Sequence, residues 1–432
     1  MIANTIIIII FLYFFIGGVI NAIQSSKWKR SELENFHGQT EPENSNSNLY
    51  FYIIIPALRE QAVISRTLER MSQLRYSKNR FEVVVALDSA ELPPATAQAV
   101  NEFIKSSSVS VKITTTTYYG PKKRRSSQLN KAIDEIFKSK SALEHETSTF
   151  VAVYDADSFP NLDTLSYVNY FVEKEIMRGN EVMALQQTIS YLKNFDRLSV
   201  LLAANALYQT LWNYIFEVPR FLHTAKEISQ NKKVSFPPYC MGHGQFIRLD
   251  VLKKIGGLPQ DGACDGIQLG FRLTSNRIKI NPIPLDDECE SPEDYLTLLR
   301  QQSFWYCGNL EFFKNREKNS IASVRPYFHH AILNIKWILR PWWAIAVSIT
   351  AIDLFDYGIG ALILMSCFFY YVAIYVIIKR NRLAVFHLDS MRAAMVIFLL
   401  PIAVLIKSIG GMYGVLKFLT RSKTFPKVER KY

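Results

Sequence analysis

The stretch FVAVYDAD, residues 150–157, is the part of the sequence that decides the fold. Its first half is a short apolar run, which is typical of a strand buried on both faces. Two carboxylates, Asp155 and Asp157, follow this run directly and are separated by one residue. Carboxylate oxygens in such a pair suit Mg²⁺ or Mn²⁺. Because D-x-D triplets also occur by chance in surface loops, the weight of this motif depends on its neighbours.

Two earlier apolar runs end in a similar way. Phe51–Ile55 is stopped by Pro56 and followed by Glu60, and Phe81–Leu87 ends at Asp88. Strands that alternate with helically spaced segments predict an α/β domain with a mainly parallel sheet, which binds ligands at the carboxyl ends of its strands. Each acidic residue could instead cap a helix, and for Asp88 alone that role is the more frequent one. Three acidic strand ends in one sheet favour a shared nucleotide site.

The N-terminal segment is almost purely apolar over residues 2–23, long enough to span a bilayer. The basic residues Lys27, Lys29 and Arg30 follow this run instead of preceding it. That order predicts an uncleaved anchor with its N-terminus outside and the following domain in the cytosol.

The C-terminal part contains three apolar blocks, 331–352, 359–378 and 393–419. The first two are good candidate spans, whereas Pro401 and Lys407 interrupt the third. A full third crossing would leave the basic tail outside, so we expect a re-entrant or surface-lying last segment. A further helical segment, 198–222, is too polar to span and is either buried core or a membrane-surface helix. The expected organisation is an anchor (1–24), a linker (25–48), an α/β domain (49–310), a juxtamembrane linker (311–330), a transmembrane or re-entrant region (331–420) and a basic cytoplasmic tail (421–432).

The charge and cysteine content exclude two classes of protein. The net charge is +12, but the excess lies beside the apolar segments, and the soluble part has only the short run 122–125, so a nucleic-acid partner is not expected. Basic residues beside spans favour contact with membrane lipids. The five cysteines show no metal-binding or paired spacing, which excludes a disulfide framework and fits a reducing cytosolic face.

The order of motifs resembles the inverting family-2 glycosyltransferases, the group that contains cellulose, chitin, hyaluronan and poly-N-acetylglucosamine synthases. The resemblance covers about 52–308. It rests on the DAD triplet together with IIIPALRE (53–60), RSSQLNKAI (125–133), GHGQFIRLDVLKKIGGLP (242–259), CDGIQLGFRL (264–273) and QQSFW (301–305).

This resemblance implies a GT-A type, Rossmann-like domain between transmembrane helices, which takes a UDP-sugar donor with Mg²⁺ or Mn²⁺ and transfers the sugar with inversion. Without the resemblance, His243 is more often a local hydrogen-bonding residue, and Trp305 has an ordinary core or interfacial role as its alternative. Position by position, the resemblance assigns nucleotide-sugar binding to Pro56, Glu60, Asp88, Arg125 and Asp155, metal binding to Asp155 and Asp157, and acceptor binding to His243, Gln301 and Trp305.

One departure from the family concerns the general base. The family's catalytic Asp falls on Gly266 in this chain, and Asp265 occupies the Glu position before it. A base must only reach the attacking hydroxyl, so we expect Asp265 to be the catalytic carboxylate, with Asp261 as the alternative.

A second departure concerns the diphosphate. In the family's QxxRW motif, Phe304 replaces the arginine, while Gln301 and Trp305 remain. We expect Arg300 or Arg272 to compensate. Both departures weaken the case for processive synthesis more than the case for sugar transfer.

The sequence thus predicts a hexosyltransferase of the plasma membrane that extends a cell-surface polysaccharide at the cytoplasmic face. One alternative is a non-processive enzyme that adds one sugar to a lipid-linked acceptor. Another is a catalytically impaired subunit of a synthase complex, which Gly266 and Phe304 favour and the intact DAD opposes. A transporter with a cytosolic regulatory domain is disfavoured by the scarcity of intramembrane charge. A partner subunit or a homo-oligomer is compatible with each version.

Overall fold

A computed structural model describes residues 2–38, 49–106, 111–120, 125–260, 262, 264–314, 325–353, 373, 376–377, 380 and 390–420. The basic residues 122–124, Asp261, most of the apolar block 359–378 and the basic tail 421–432 lie outside these ranges.

An eight-stranded sheet forms the centre of the α/β domain. Its strands are β1 (Tyr50–Ala57), β2 (Phe81–Asp88), β3 (Lys112–Tyr118), β4 (Thr149–Val153), β5 (Phe159–Pro160), β6 (Ala184–Ser190), β7 (Gln245–Arg248) and β8 (Ile280–Glu288). The strand order is β3-β2-β1-β4-β7-β6-β8-β5. Strands β1 to β4 pair in parallel, as expected. The sheet as a whole is mixed, since β6 pairs with β8 in parallel, whereas β7 is antiparallel to both β4 and β6, and β5 is antiparallel to β8.

Apolar side chains cover both faces of the central strands, which explains why the strands are continuous apolar runs. On one face Ile53 and Ile55 belong to a buried cluster with Leu68 of helix α2, and on the other Ile54 packs in a cluster with Leu129 of helix α4. The helices of the domain are α2 (Ile64–Ser72), α3 (Ala95–Ser106), α4 (Arg125–Ile136), α5 (Lys140–Glu144), α6 (Thr164–Met177), α7 (Val200–Trp212), α8 (Val218–Ser229), α9 (Leu249–Ile255), α10 (Asp265–Ser275) and α11 (Tyr295–Lys314).

The N-terminal helix α1 (Ile2–His37) is continuous over 36 residues. The predicted linker 25–48 is therefore helical up to His37, and this part of α1 contacts the α/β domain. Lys29 forms an ion pair with Asp286 at 2.7 Å, and Glu32 pairs with Lys174 at 3.2 Å. Residues three and four positions apart share one face of a helix, which brings these two side chains to the same side. The described part of the predicted linker is thus a helix that is packed on the domain, and residues 39–48 lie outside the described ranges.

Three further helices follow the domain, α12 (Arg325–Asp353), α13 (Ser390–Phe398) and α14 (Leu400–Leu419). The predicted juxtamembrane linker is helical at both ends, since α11 extends to Lys314 and α12 begins at Arg325. Of the helices that the structure describes, α14 alone is long and apolar enough to cross a membrane. The expected interruption of the last apolar block occurs at Leu399, just before Pro401, where α13 and α14 separate.

Helix α7 resolves the alternatives for segment 198–222. Its residues Leu202, Leu207 and Leu211 are buried in a cluster that also contains Val396 of α13 and Leu400 of α14. A π-helical turn over Asn213–Glu217 joins α7 to α8. The segment is therefore core, lying between the α/β domain and the C-terminal helices.

Candidate active site

A cavity of about 1040 Å³ opens at the carboxyl edge of the sheet. Strands β1, β2 and β4 end there side by side, since Ala57 pairs with Leu87 and the Tyr154 amide donates to the Ile54 carbonyl at 3.0 Å. The structure thus brings most of the sequence-predicted residues to one place. Those that line the cavity are Arg125, Asp155, Asp157, His243, Asp265, Gln301 and Trp305.

Arg125, the first residue of α4, joins two carboxylates from distant parts of the chain. Its guanidinium lies 2.9 Å from Asp155 and 3.2 Å from Asp265, and it donates to the Gly242 carbonyl at 2.6 Å. The D-x-D motif, the candidate base and the predicted diphosphate ligand are therefore in direct contact.

The turn after β4 directs the D-x-D pair towards the cavity. The Ser158 amide donates to the Asp155 carbonyl, and the Asp155 amide contacts the Ser158 hydroxyl, both at 3.0 Å. Asp157 is buried, with 6% of its surface exposed. Both carboxylates line the cavity, so this turn can present hard oxygen ligands to a cation.

His243 adds an imidazole to this group of carboxylates. Its Nδ1 lies 2.7 Å from Asp287, and the Cys289 sulfur lies 3.8 Å from the same nitrogen. Burial alone would lower the pKa of His243, but the hydrogen bond to Asp287 and the charges of Asp155 and Asp157 outweigh it and raise the pKa. Negative charge is thus concentrated here, and two carboxylates with an imidazole suit a divalent cation such as Mn²⁺. The residues present fit the metal that the family resemblance implies.

Asp287 and Cys289 were missed by the sequence reasoning. They lie at and just beyond the end of β8, whose Pro282 and Pro284 conceal its strand character. The signal that could have found them is the acidic pair Asp286-Asp287 after a short apolar run, the same pattern that marks Asp88 and Asp155.

Gly266 lies too close to a neighbouring backbone to carry a side chain. A Cβ at this position would collide with the Cys240 carbonyl oxygen, and a Cβ at Gly270, one turn later, would collide with that of Pro238. Helix α10 therefore packs through its glycines directly on 238–242. Asp265 is the first residue of α10 and lines the cavity, which is compatible with its predicted role.

The expected replacement of the missing QxxRW arginine was wrong. Arg272 donates to the Ile255 carbonyl at 3.2 Å, Arg300 is exposed, and neither lines the cavity, whereas Phe304 does. Besides Arg125, the cavity is lined by three cations of the C-terminal helices, Arg340, Lys407 and Lys417.

The remaining predicted nucleotide ligands lie at the same sheet edge, outside the cavity lining. Asp88 accepts hydrogen bonds from the Ala90 amide at 2.8 Å and from the Gln128 amide group at 3.3 Å. Pro56 is part of β1, and Glu60 follows the turn after it, where its backbone amide donates to Thr96 at 2.9 Å. These contacts show a turn-stabilising role for Asp88 and leave its predicted nucleotide contact a proposal.

Residues 48–308 match the model of the family described as glycosyltransferase like family 2. The chain belongs to this family. It is therefore a transferase, and the carboxylates of the cavity occupy the domain that defines family-2 glycosyltransferases.

Two curated relatives of this family-2 glycosyltransferase are 24% identical to it. The probable glycosyltransferase YdaM of Bacillus subtilis aligns over 286 residues, 64% of this chain and 61% of the relative. A probable glycosyltransferase of Sulfolobus acidocaldarius aligns over 275 residues, 63% of this chain and 52% of the relative. The chain thus spans less than two thirds of the length of either.

Among solved structures, the mannosyltransferase PcManGT from Pyrobaculum calidifontis in complex with GDP-Man and Mn²⁺ is similar over nearly the whole chain. The TM-score is 0.54 at 14% identity, with 97% of this chain and 99% of that chain covered. This likeness shows a GT-A-like α/β fold with a mixed sheet for the family-2 glycosyltransferase described here.

Proposed function

We propose that this chain is a membrane-anchored, metal-dependent glycosyltransferase that moves a sugar with inversion from a nucleotide-diphosphate sugar to a polysaccharide or lipid-linked acceptor. The observation that carries the proposal is the contact of Arg125 with both Asp155 and Asp265 inside one cavity. We expect a UDP-sugar as donor, because Asp88 is at the position to which the family resemblance assigns nucleotide-sugar binding. The structural relative is in complex with GDP-mannose, so GDP-sugars are the necessary comparison.

In the proposed reaction, Asp155 and Asp157, with His243 beside them, would hold a divalent cation, which would supply positive charge to the donor diphosphate. Asp265 takes the proton from the acceptor hydroxyl, whose oxygen attacks the anomeric carbon. The bond between that carbon and the diphosphate oxygen breaks on the opposite face, so the anomeric configuration inverts. Arg125 donates hydrogen bonds to the departing nucleoside diphosphate.

The first test measures release of nucleoside diphosphate from a panel of UDP- and GDP-sugars by the detergent-purified protein, with Mn²⁺, Mg²⁺ or EDTA. We expect metal-dependent turnover of one donor and its loss in Asp157→Ala. Asp265→Asn should lower kcat by roughly 10²- to 10⁴-fold while nucleotide binding persists, because a general base acts on the chemical step. Asp134→Asn is the matched control, since Asp134 is exposed on α4 and does not line the cavity.

Three results would contradict the proposal at different points. If the folded protein binds no nucleoside diphosphate with any metal, this cavity is not the active site of a transferase. Normal kcat in Asp265→Asn shows that another carboxylate is the base. Nucleotide binding without turnover of any donor supports the impaired-subunit alternative instead.

The membrane location rests on α14, on the apolar run 2–23 and on the basic residues after it. Donor sugar added to sealed inside-out vesicles should be turned over, and donor added to right-side-out vesicles should not. Equal rates in both orientations, with the vesicles intact, would contradict a cytoplasmic active site.

A further inference from the structure

The active-site cavity continues beyond Trp305 into a cleft between α7, α12 and α14. Its inner end is lined by Gln209, Trp212, Trp337, Arg340 and Lys407. Lys407 is only 3% exposed, although α14 is a mostly apolar helix. A cation at such a position is costly and marks a functional site by default.

Lys407 and Arg340 share the same aromatic surroundings. The Lys407 ammonium lies 4.8 Å from the Trp212 ring centre and 4.9 Å from that of Trp337, and it donates to Gln209 Oε1 at 2.9 Å. The Arg340 guanidinium lies 5.6 Å from the Trp212 ring and 5.9 Å from the Tyr208 ring. Two basic side chains are thus held beside the same Trp212 ring.

Carboxylates do not balance this pair within the described part of the chain. Neither Arg340 nor Lys407 forms an ion pair there, and Arg340 Nη1 is buried with no hydrogen-bond partner. The nearby carboxylate, Glu217, accepts from the Trp212 indole at 2.9 Å and pairs with Arg220 at 3.3 Å. Cation–π contacts contribute about 0.5–2 kcal/mol each, less than the several kcal/mol that burying one ion costs. The cleft therefore favours an anion supplied by a ligand.

The cation pair and the reacting groups line the same cavity from different elements. Lys407 donates to Gln209 of α7, and Gln209 lines the cavity together with Tyr191. Arg125, by comparison, contacts Asp155 and Asp265 at the metal end. A ligand that spans the cavity would place an uncharged hydroxyl at Asp265 and an anionic group at the cation pair.

The outer surfaces of α12 and α14 indicate what the anion is attached to. Both helices also expose large apolar side chains, among them Ile345, Ile349, Ile402 and Ile409. We propose that Arg340 and Lys407 bind the phosphate or diphosphate of a glycolipid acceptor, whose sugar lies towards Asp265 and whose apolar chain lies along α12 and α14. This inference rests on the proposed transferase function and selects the lipid-linked acceptor.

The test uses the full chain in nanodiscs and measures binding of a polyprenyl diphosphate by the rise in unfolding temperature, with UDP and GDP titrated in parallel. The matching polyprenol, inorganic pyrophosphate and phosphatidylglycerol are the comparison probes. Of these four probes, we expect only the polyprenyl diphosphate to stabilise the wild type. Lys407→Met or Arg340→Met should weaken its binding roughly 10- to 100-fold, the scale of a lost hydrogen bond to a charged group. Nucleotide affinity should stay unchanged in both variants.

Arg392→Met is the matched control, because Arg392 lies in the same helical region, donates to the Leu198 carbonyl at 2.7 Å and does not line the cavity. Unchanged diphosphate-lipid binding in Arg340→Met and Lys407→Met overturns the proposal. Equal stabilisation by polyprenol, pyrophosphate or phosphatidylglycerol also overturns it. A loss of nucleotide affinity in these variants overturns it as well, because the two cations would then bind the donor. Failure of the proposed function is seen separately, as absent nucleotide binding by the wild type.

Discussion

Gly266 shows how a single backbone contact can exclude a side chain from the position of the family's aspartate. Helix α10 packs with its glycine surface on the carbonyl of Cys240, whose amide in turn donates to the Gly266 carbonyl at 3.1 Å. A side chain at 266 and this contact exclude each other. Asp265 therefore has both the space and the partner, Arg125, that a base in this cavity needs.

Restoring the family's aspartate with Gly266→Asp should reduce activity instead of improving it. The new Cβ collides with backbone atoms that cannot rotate away, and we expect a loss of about 1–3 kcal/mol or more in the free energy of unfolding, as for overpacked sites. Thermal unfolding and donor turnover measure the two effects. Gly17→Ala is the control, since nothing lies within 4 Å of a Cβ there. A variant with higher kcat and unchanged stability would show that position 266 is the natural place of the base.

The sequence predicted the individual carboxylates of the site better than their partners. Asp155 and Asp157 are recognisable because they directly follow an apolar run. The contact between Arg125 and Asp265 joins residues 140 positions apart, and no local pattern encodes it. The location of Arg340 and Lys407 at the same cavity could not be predicted either, because it depends on how the C-terminal helices pack against α7.

At the scale of elements, β1, β2 and β4 were predicted because both of their faces are apolar. Strand β6 was not, since its sequence ALQQTIS alternates weakly and contains two glutamines. Both glutamines are buried and form hydrogen bonds with neighbouring chain segments. Gln186 donates to the His243 carbonyl at 2.8 Å, and Gln187 accepts from the Tyr154 hydroxyl at 2.6 Å. Tertiary hydrogen bonds of its polar side chains thus stabilise β6, which local strand propensity does not favour.

The packing of α14 on α11 gives an element-scale prediction. A Cβ at Gly410 would lie 2.5 Å from the Gln302 Cβ, whereas a Cβ at Gly411 would lie 3.2 Å from atoms of the Trp337 ring. Gly410→Ala should therefore destabilise the protein by about 1–3 kcal/mol, and Gly411→Ala by less, because a ring can shift and a Cβ cannot. Thermal unfolding in detergent compares the two. A larger effect at Gly411 would mean that α14 packs on α11 through a different face.

At the scale of the whole molecule, the ion pair of Lys29 and Asp286 joins α1 to β8. Asp286 also accepts from Thr188 at 2.6 Å, and its neighbour Asp287 holds His243. Burial alone would lower the pKa of Lys29, but Asp286 and Tyr214 outweigh it and raise the pKa. The stabilisation is thus fully present below the unfolded-state pKa of about 10.4 and is lost only as the pH rises through the higher folded-state value.

Lys29→Met should lower the free energy of unfolding by about 1.5–3 kcal/mol at neutral pH, since it leaves the Asp286 carboxylate without its charged hydrogen-bond partner. Adding Asp286→Asn should recover part of this loss, which a double-mutant cycle measures. Arg30→Met is the matched control, because Arg30 is 81% exposed and its pair with Glu34 contributes little. Equal losses at Lys29 and Arg30 would show that α1 does not depend on this contact.

The continuity of α1 also fixes a length. A helix of 36 residues measures about 54 Å, and its last third is attached to the domain through Lys29 and Glu32. With its apolar part in the bilayer, the helix would hold the active site at a constant height above the lipid, because no flexible joint lies between them. The rate of turnover should then depend on the acyl-chain length of the lipids, since a thicker or thinner bilayer must tilt the helix or deform around it. Turnover that is identical in bilayers of short and long acyl chains would contradict this coupling.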